Sequence, residues 1–158
     1  MRPWITKTLY LGVLLFVIIQ FFPVQRTNPP IDPTQTIHAY LNMNPSVSSA
    51  LARGCNDCHS NLTVWPWYSK VAPMSWLVVS DVRRGRKALN FSEWKALSPE
   101  KQREIMPEIC KEVDDREMPT EEYVIMHPKA KPTRPEIKAI CSWAHSAGLA
   151  ELEQAERK

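Results

Sequence analysis

Residues 55–59 read Cys55-Asn56-Asp57-Cys58-His59, a C-x-x-C-H pattern. Positions i and i+3 of a helical turn share one face, so both sulfurs can reach the two vinyl groups along one porphyrin edge. The next residue then projects its imidazole beneath the iron. The pattern is that of covalent c-type haem attachment, with Cys55 and Cys58 as the thioether donors and His59 as the proximal ligand.

Three other chemistries use the same residue types. A structural zinc site would need two further ligands at close spacing, and the remaining cysteines, Cys110 and Cys141, stand alone. A thioredoxin-like C-x-x-C needs a βαβ context, and no alternating run argues for strands here. In an oxidising compartment the two cysteines could also simply form disulfides. What precedes the motif favours haem. Leu9 to Phe22 (LYLGVLLFVIIQFF) is apolar all round apart from Gln20, unlike the striped face of a globular surface helix. These positions cover about 21 Å, and extension from Ile5 to Val24, with Lys7 snorkelling and Trp4 at the interface, reaches about 30 Å, the thickness of a bilayer core. Arg2 and Lys7 lie before the run and Arg26 after it, which puts the N-terminus in the cytoplasm. The alternative is a cleaved signal peptide, but Phe21 to Arg26 offers no small-residue cleavage site. The sequence therefore predicts a membrane anchor over 1–26, in contact with lipid through residues 5–24. A stiff proline-rich tether follows over 27–34.

With 158 residues there is room for one domain of ordinary size. Gly is rare at 4, Pro is common at 14, and neither a GxGxxG nor a Walker pattern occurs, which excludes a glycine-rich phosphate cradle. The net charge of +3 resides in the first 26 residues; the rest is neutral overall, which removes nucleic acid as a partner. Asn44-Pro45 predicts a helix running towards Arg53, Pro73 to Ser75 one towards Leu89, and Ser98-Pro99-Glu100 another that Pro107 must kink or divide. Pro33 to Met43 predicts a short helix. Thr133-Arg134-Pro135-Glu136 matches a capping box, and Ile137, Ile140, Cys141 and Ala144 form an apolar stripe ending near Gly148. A frayed polar tail, 149–158, is expected beyond it.

The stretch CNDCHSNLTVWPWYSKVAPMSW with the later GRKALNFSEW, then Glu117-Met118-Pro119, Tyr123 and His127-Pro128, resembles the bacterial haem-binding domain family of single-haem, cytochrome c-like exported proteins. The resemblance covers roughly residues 35–148. It implies one covalent haem c and a helical fold, and supplies no physiological partner.

A sixth iron ligand must come from elsewhere. Met118 is favoured because it sits in a loop before Pro119, between the motif and the C-terminal helix, the order seen in small class I cytochromes c; His127 is the reserve. Met43, Met106, His38 and His145 are further candidates, while Met74 and Met126 read as gap-fillers of an apolar core. Trp65, Trp67 and Tyr68, with Trp76 and Trp94, could line the porphyrin or simply form an aromatic core. Arg83, Arg84, Arg86 and Lys87 read as a solvated helix face, with propionate pairing or docking to an acidic partner as the sharper option. Cys110 and Cys141 leave a disulfide and two buried thiols equally open.

The expected architecture is all-α, a cytochrome c-like helical domain over 35–148 preceded by one N-terminal transmembrane helix. It would be single-pass in the cell inner membrane with its C-terminal domain in the periplasm; a secreted periplasmic form is the alternative. The expected function is one-electron transfer with membrane or periplasmic redox proteins rather than enzyme catalysis. A haem-based redox or gas sensor with a displaceable sixth ligand is the rival, and peroxidase activity a third class for which no distal acid and base pair is recognisable.

Overall fold

The computed structural model describes residues 2–156, with side chains described through Gly148. Among the described residues the only regular secondary structure is helical, and there is no strand. The helices are α1 (Pro3–Ile19), α2 (Ile37–Tyr40), α3 (Pro45–Gly54), α4 (Asn56–His59), α5 (Met74–Ala88), α6 (Pro99–Asp114), α7 (Glu121–Met126) and α8 (Arg134–Glu156). Short 3-10 turns at Pro33–Gln35, Trp67–Lys70, Phe91–Ala96 and Pro128–Ala130 link them.

Local chemistry starts the main helices. The Asn44 side chain accepts from Val47 N at 2.9 Å, the Ser98 hydroxyl from Lys101 N at 3.3 Å, and the Thr120 hydroxyl from Tyr123 N at 3.4 Å. At α8 the capping box is closed both ways: Glu136 N donates to Thr133 Oγ1 at 3.4 Å and Thr133 N to Glu136 Oε2 at 2.8 Å. Each such cap contributes about 1 kcal/mol.

Helices α6 and α8 run antiparallel, with Cys110 opposite Cys141 and Met106 opposite Gly148. Ile105, Met106, Ile109 and Val113 are buried in one cluster with Ile140, Trp143 and Ala144, and α3 adds Val47, Ala50 and Leu51. Cys110 and Cys141 form a disulfide with Cα atoms 4.5 Å apart, which settles the choice the sequence left open. Of the two outcomes expected at Pro107, division of α6 does not occur, and the helix runs on through it. The proline is exposed, so the Arg103 carbonyl that it leaves without a helical donor is on the solvent side, where water can satisfy it. Likewise α8 continues past Gly148 to Glu156 rather than ending in a frayed tail; residues 157–158 of the expected tail lie outside the described residues.

The expected transmembrane helix is not found. Helix α1 has 17 residues, about 25 Å, against a hydrocarbon core of about 30 Å, and no helix among the described residues is long and apolar enough to cross a membrane. The reason lies at Gln20. Its amide bonds both the nitrogen and the carbonyl of Ala72, at 3.0 and 3.1 Å, and Phe22 O accepts from Trp76 Nε1 at 2.9 Å. Residues 20–24, assigned above to the end of a membrane span, are thus pinned to the helical domain. Of the expected tether, residues 27–32 are without helix but not free, and Pro33 and Thr34 belong to the first 3-10 turn. Arg26 donates to Ser69 O at 3.1 Å, Asn28 to Thr63 O at 2.9 Å, and Asn61 to Pro30 O at 3.5 Å.

Candidate functional site

Cys55 closes α3 and opens α4, and the next turn carries Cys58 and His59. His59 N donates to Cys55 O at 2.8 Å and Cys58 N to the same carbonyl at 3.2 Å, so the motif occupies one helical turn, as its spacing requires. Both cysteines are free thiols and partly buried. Burial pushes the Cys55 thiol up to about 12, with Cys58 adding to it, and burial with Asp57 and Asp81 pushes Cys58 to about 11. They are therefore protonated thiols at neutral pH rather than thiolates. Among the described residues no group of three or more His, Cys, Asp and Glu side chains is placed to hold a metal ion, so the zinc reading lacks its ligand set.

Helix α5 sets the orientation of His59. Its Nδ1 lies 3.2 Å from Leu89 O, the carbonyl just beyond the last turn of α5. A carbonyl can only accept, so Nδ1 carries the proton and Nε2 keeps its lone pair. Burial lowers the basicity of the ring, against the opposing effect of that bond, and keeps the imidazole neutral. Phe91 flanks the ring at 6.2 Å between centroids. The helix can come this close because residue 85 is glycine: a Cβ there would lie 3.0 Å from Cys58 Cβ and inside contact distance of the Cys58 carbonyl. Arg86, next along, reaches back over the motif. It donates to Ser60 O at 2.8 Å, Thr27 O at 2.9 Å, Asn28 Oδ1 at 2.8 Å and Thr63 Oγ1 at 2.7 Å. The solvated-face reading therefore describes Arg83, Arg84 and Lys87, which are exposed, and fails for Arg86.

On the other side lies a chain of polar contacts. Asp57, inside the motif, accepts from Val64 N at 2.8 Å through Oδ1 and from the Tyr123 hydroxyl at 2.6 Å through Oδ2. The Tyr123 ring stacks on His127, centroids 4.4 Å apart and planes 15° off parallel. His127 Nε2 lies 2.7 Å from the Tyr68 hydroxyl. The reserve iron ligand is thus already engaged through Nε2. Burial and Asp57 raise the Tyr123 phenol far above its ordinary value, which keeps it a donor.

Met118 is half-buried. Its nitrogen and that of Glu117 both donate to Glu112 O at 3.0 Å, wrapping the end of α6 around Arg116, whose φ is 64°. The Pro119 ring lies 3.0 Å from where a Cβ on Gly54 would sit, so the Met118-Pro119 turn rests against the residue just before Cys55. Of the aromatic candidates, Tyr68 is buried, Trp65 is half-buried and Trp67 is 73% exposed, while Trp94 belongs to the apolar core. Trp76 is fastened to the N-terminal segment. Met74 and Met126, read above as core gap-fillers, are largely exposed, and Met106 takes that place. Gly85, Asp57 and the Leu89 carbonyl were not singled out in the sequence. A glycine inside a basic helical run, in a chain with only four glycines, was the one available clue.

The donor set fits haem: two free thiols on one turn, and between α4 and α5 an imidazole with its Nε2 lone pair uncommitted. No curated protein sequence and no solved structure matches the chain. Residues 14–146 match the haem-binding domain family, a stretch that begins inside α1 and includes the pinned N-terminal segment. On that match and this geometry, the chain belongs to the haem-binding domain family.

Proposed function

We propose that the domain carries one covalent haem c and serves as a one-electron carrier, with His59 and Met118 as the axial ligands. The observation that carries the reading is the His59–Leu89 bond, which fixes the tautomer a proximal ligand needs beside two reduced cysteines. Cys55 and Cys58 would hold the group through thioethers to its two vinyl substituents, an addition of S–H to C=C that would consume no oxidant. Once bound, the group supplies a reversible one-electron change at iron. His59 holds its ring against rotation through Leu89 O, and Met118, in the turn against Gly54, offers a thioether of the kind that raises cytochrome potentials. Tyr68, His127, Tyr123 and Asp57 are bonded or stacked on one another, so none of them stands as a free acid and base pair for peroxide cleavage, which supports a carrier over a peroxidase. The Cys110–Cys141 disulfide supports an oxidising compartment such as the periplasm, with membrane or periplasmic redox proteins as donor and acceptor.

Denaturing electrophoresis with a peroxidase-activity stain tests the attachment. Haem should stay on the polypeptide and be lost when Cys55 and Cys58 are both replaced by Ala; release of free haem into acidic organic solvent would overturn the reading. The reduced protein should bind carbon monoxide slowly, because the entering ligand must displace Met118. Rapid binding by the unmodified protein would make it a gas sensor instead.

A further inference from the structure

Helix α7 is too short to be stable alone, and none of its residues is fully buried. What holds it is polar. Thr120 caps its start, His127 at its end meets Tyr68, and Tyr123 in its middle donates to Asp57. Among the described residues this last contact is the only hydrogen bond between α7 and the Cys55–His59 turn. The Asp57 carboxylate is itself fixed, because its second oxygen takes Val64 N. The Met118-Pro119 turn leads directly into α7. It is held from behind by Glu112 O and from below by the contact of Pro119 with Gly54, so its forward attachments run through α7, by His127 to Tyr68 and, towards the haem turn, by Tyr123 to Asp57.

From this arrangement we infer that Tyr123 is a positioning residue for Met118: its hydroxyl, bonded to Asp57 inside the C-x-x-C-H motif, ties α7 to the haem turn and so holds the Met118 loop over the motif. The inference rests on the covalent-haem reading with Met118 as axial ligand. Asp57 thereby gains a role at a motif position whose residue type the attachment chemistry does not prescribe. Protonation of the phenol, enforced by burial and by Asp57, keeps the donor in place.

The test uses the full chain matured with haem. Tyr123→Phe removes the hydroxyl and keeps the ring that stacks on His127. Haem should remain on the polypeptide under denaturing conditions, while the methionine–iron charge-transfer band of the oxidised protein weakens. Carbon monoxide should associate with the reduced protein about tenfold faster or more, the factor that loss of a phenol–carboxylate bond corresponds to. Asp57→Ala should reproduce this. Asp57→Asn, whose oxygen can keep Val64 N while its NH2 donates to the Tyr123 hydroxyl, should restore most of the slow binding. In a Met118→Ala background, already fast, Tyr123→Phe should add nothing. A purely structural role would lower the melting temperature without moving the band or the rate. An unchanged rate in both Tyr123→Phe and Asp57→Ala, with Met118→Ala fast, would overturn this inference alone. Loss of haem from the unmodified polypeptide, or a Met118→Ala protein that binds carbon monoxide as slowly as the unmodified one, would overturn the underlying reading.

Discussion

Between α6 and α8 the packing is apolar and closed by a disulfide, whereas around α4 and α5 buried polar groups meet one another. In the first region Met106, Ile140 and Ala144 are essentially inaccessible. In the second, Ser60, Asn61, Thr63, Ser69, Ser75 and Ser92 are buried, and all but Ser75 bond to one another or to groups from the N-terminal segment, from α5 and from the segment that follows it. Asn61 N, for example, donates to Ser92 Oγ at 3.0 Å, and Asn90 Nδ2 to Asn61 Oδ1 at 3.0 Å. Apolar burial is non-directional and stabilises roughly in proportion to area. A hydrogen-bonded shell adds little net free energy per bond but penalises every displaced arrangement by leaving a buried group unpaired. The braced half supplies stability and the polar half supplies position, and position is what two thiols and an imidazole need.

If that division holds, perturbations should separate the halves. Replacing Cys110 and Cys141 together by Ala opens a loop of about 30 residues and should cost roughly 3 to 4 kcal/mol in the chain-entropy model. Amide exchange should rise first in α6 and α8, with the Cys55–His59 turn the last to lose protection. Arg86→Met leaves its former acceptors on the other side, and about 2 to 3 kcal/mol is expected; exchange should rise at residues 26–30 and 60–64 while α6 and α8 stay protected. Equal loss of protection in both halves would overturn the division of roles.

The junction of α3 with α8 is a smaller case. The Glu136 carboxyl is held down to about 2 by the Thr133 amide, by Arg53 and by the Thr133 hydroxyl, whereas unfolded it returns to about 4.3. The folded value is the lower one, so its stabilisation is complete above about pH 5 and is lost as pH falls towards about 2. Glu136→Ala should cost about 1 to 2 kcal/mol near neutrality, since the ion pair is partly exposed, and nearly nothing at about pH 2; chemical denaturation at both pH values measures the difference. The smallest effect is a gain. Arg116 occupies a left-handed conformation at the end of α6, and Arg116→Gly should stabilise by up to about 1 kcal/mol, read as a shift in denaturant midpoint.

The braced half was also the legible half. Asn44-Pro45, Ser98-Pro99-Glu100 and Thr133 to Glu136 announce helix starts because a cap is made by residues at most three positions apart, and the apolar stripe of α8 repeats with the helical turn. C-x-x-C-H was legible for the same reason. In the polar half the motif and α5 were legible, but the hydrogen bonds that join its segments were not. Tyr123 and Asp57 stand 66 residues apart and Arg86 and Thr27 stand 59 apart, and nothing local marks either pair. Gln20 shows the cost of this blindness: hydropathy placed it inside a membrane span, but its amide is committed to Ala72, a partner that no periodicity in the first 26 residues could disclose.

The hydrogen bond from His59 to Leu89 has an evolutionary consequence. Its acceptor is a main-chain carbonyl left over where α5 ends, so every residue type at position 89 would supply it and no alanine scan would detect it. Substitution can reach the bond only indirectly, through the Leu89 side chain, which packs against the apolar core and fixes where the carbonyl points. A peptide oxygen also brings no net charge, unlike the carboxylate that often partners a ligating histidine. The hydrogen-bond contribution to the electron-donating strength of the imidazole is therefore set by backbone geometry rather than by any one side chain's chemistry.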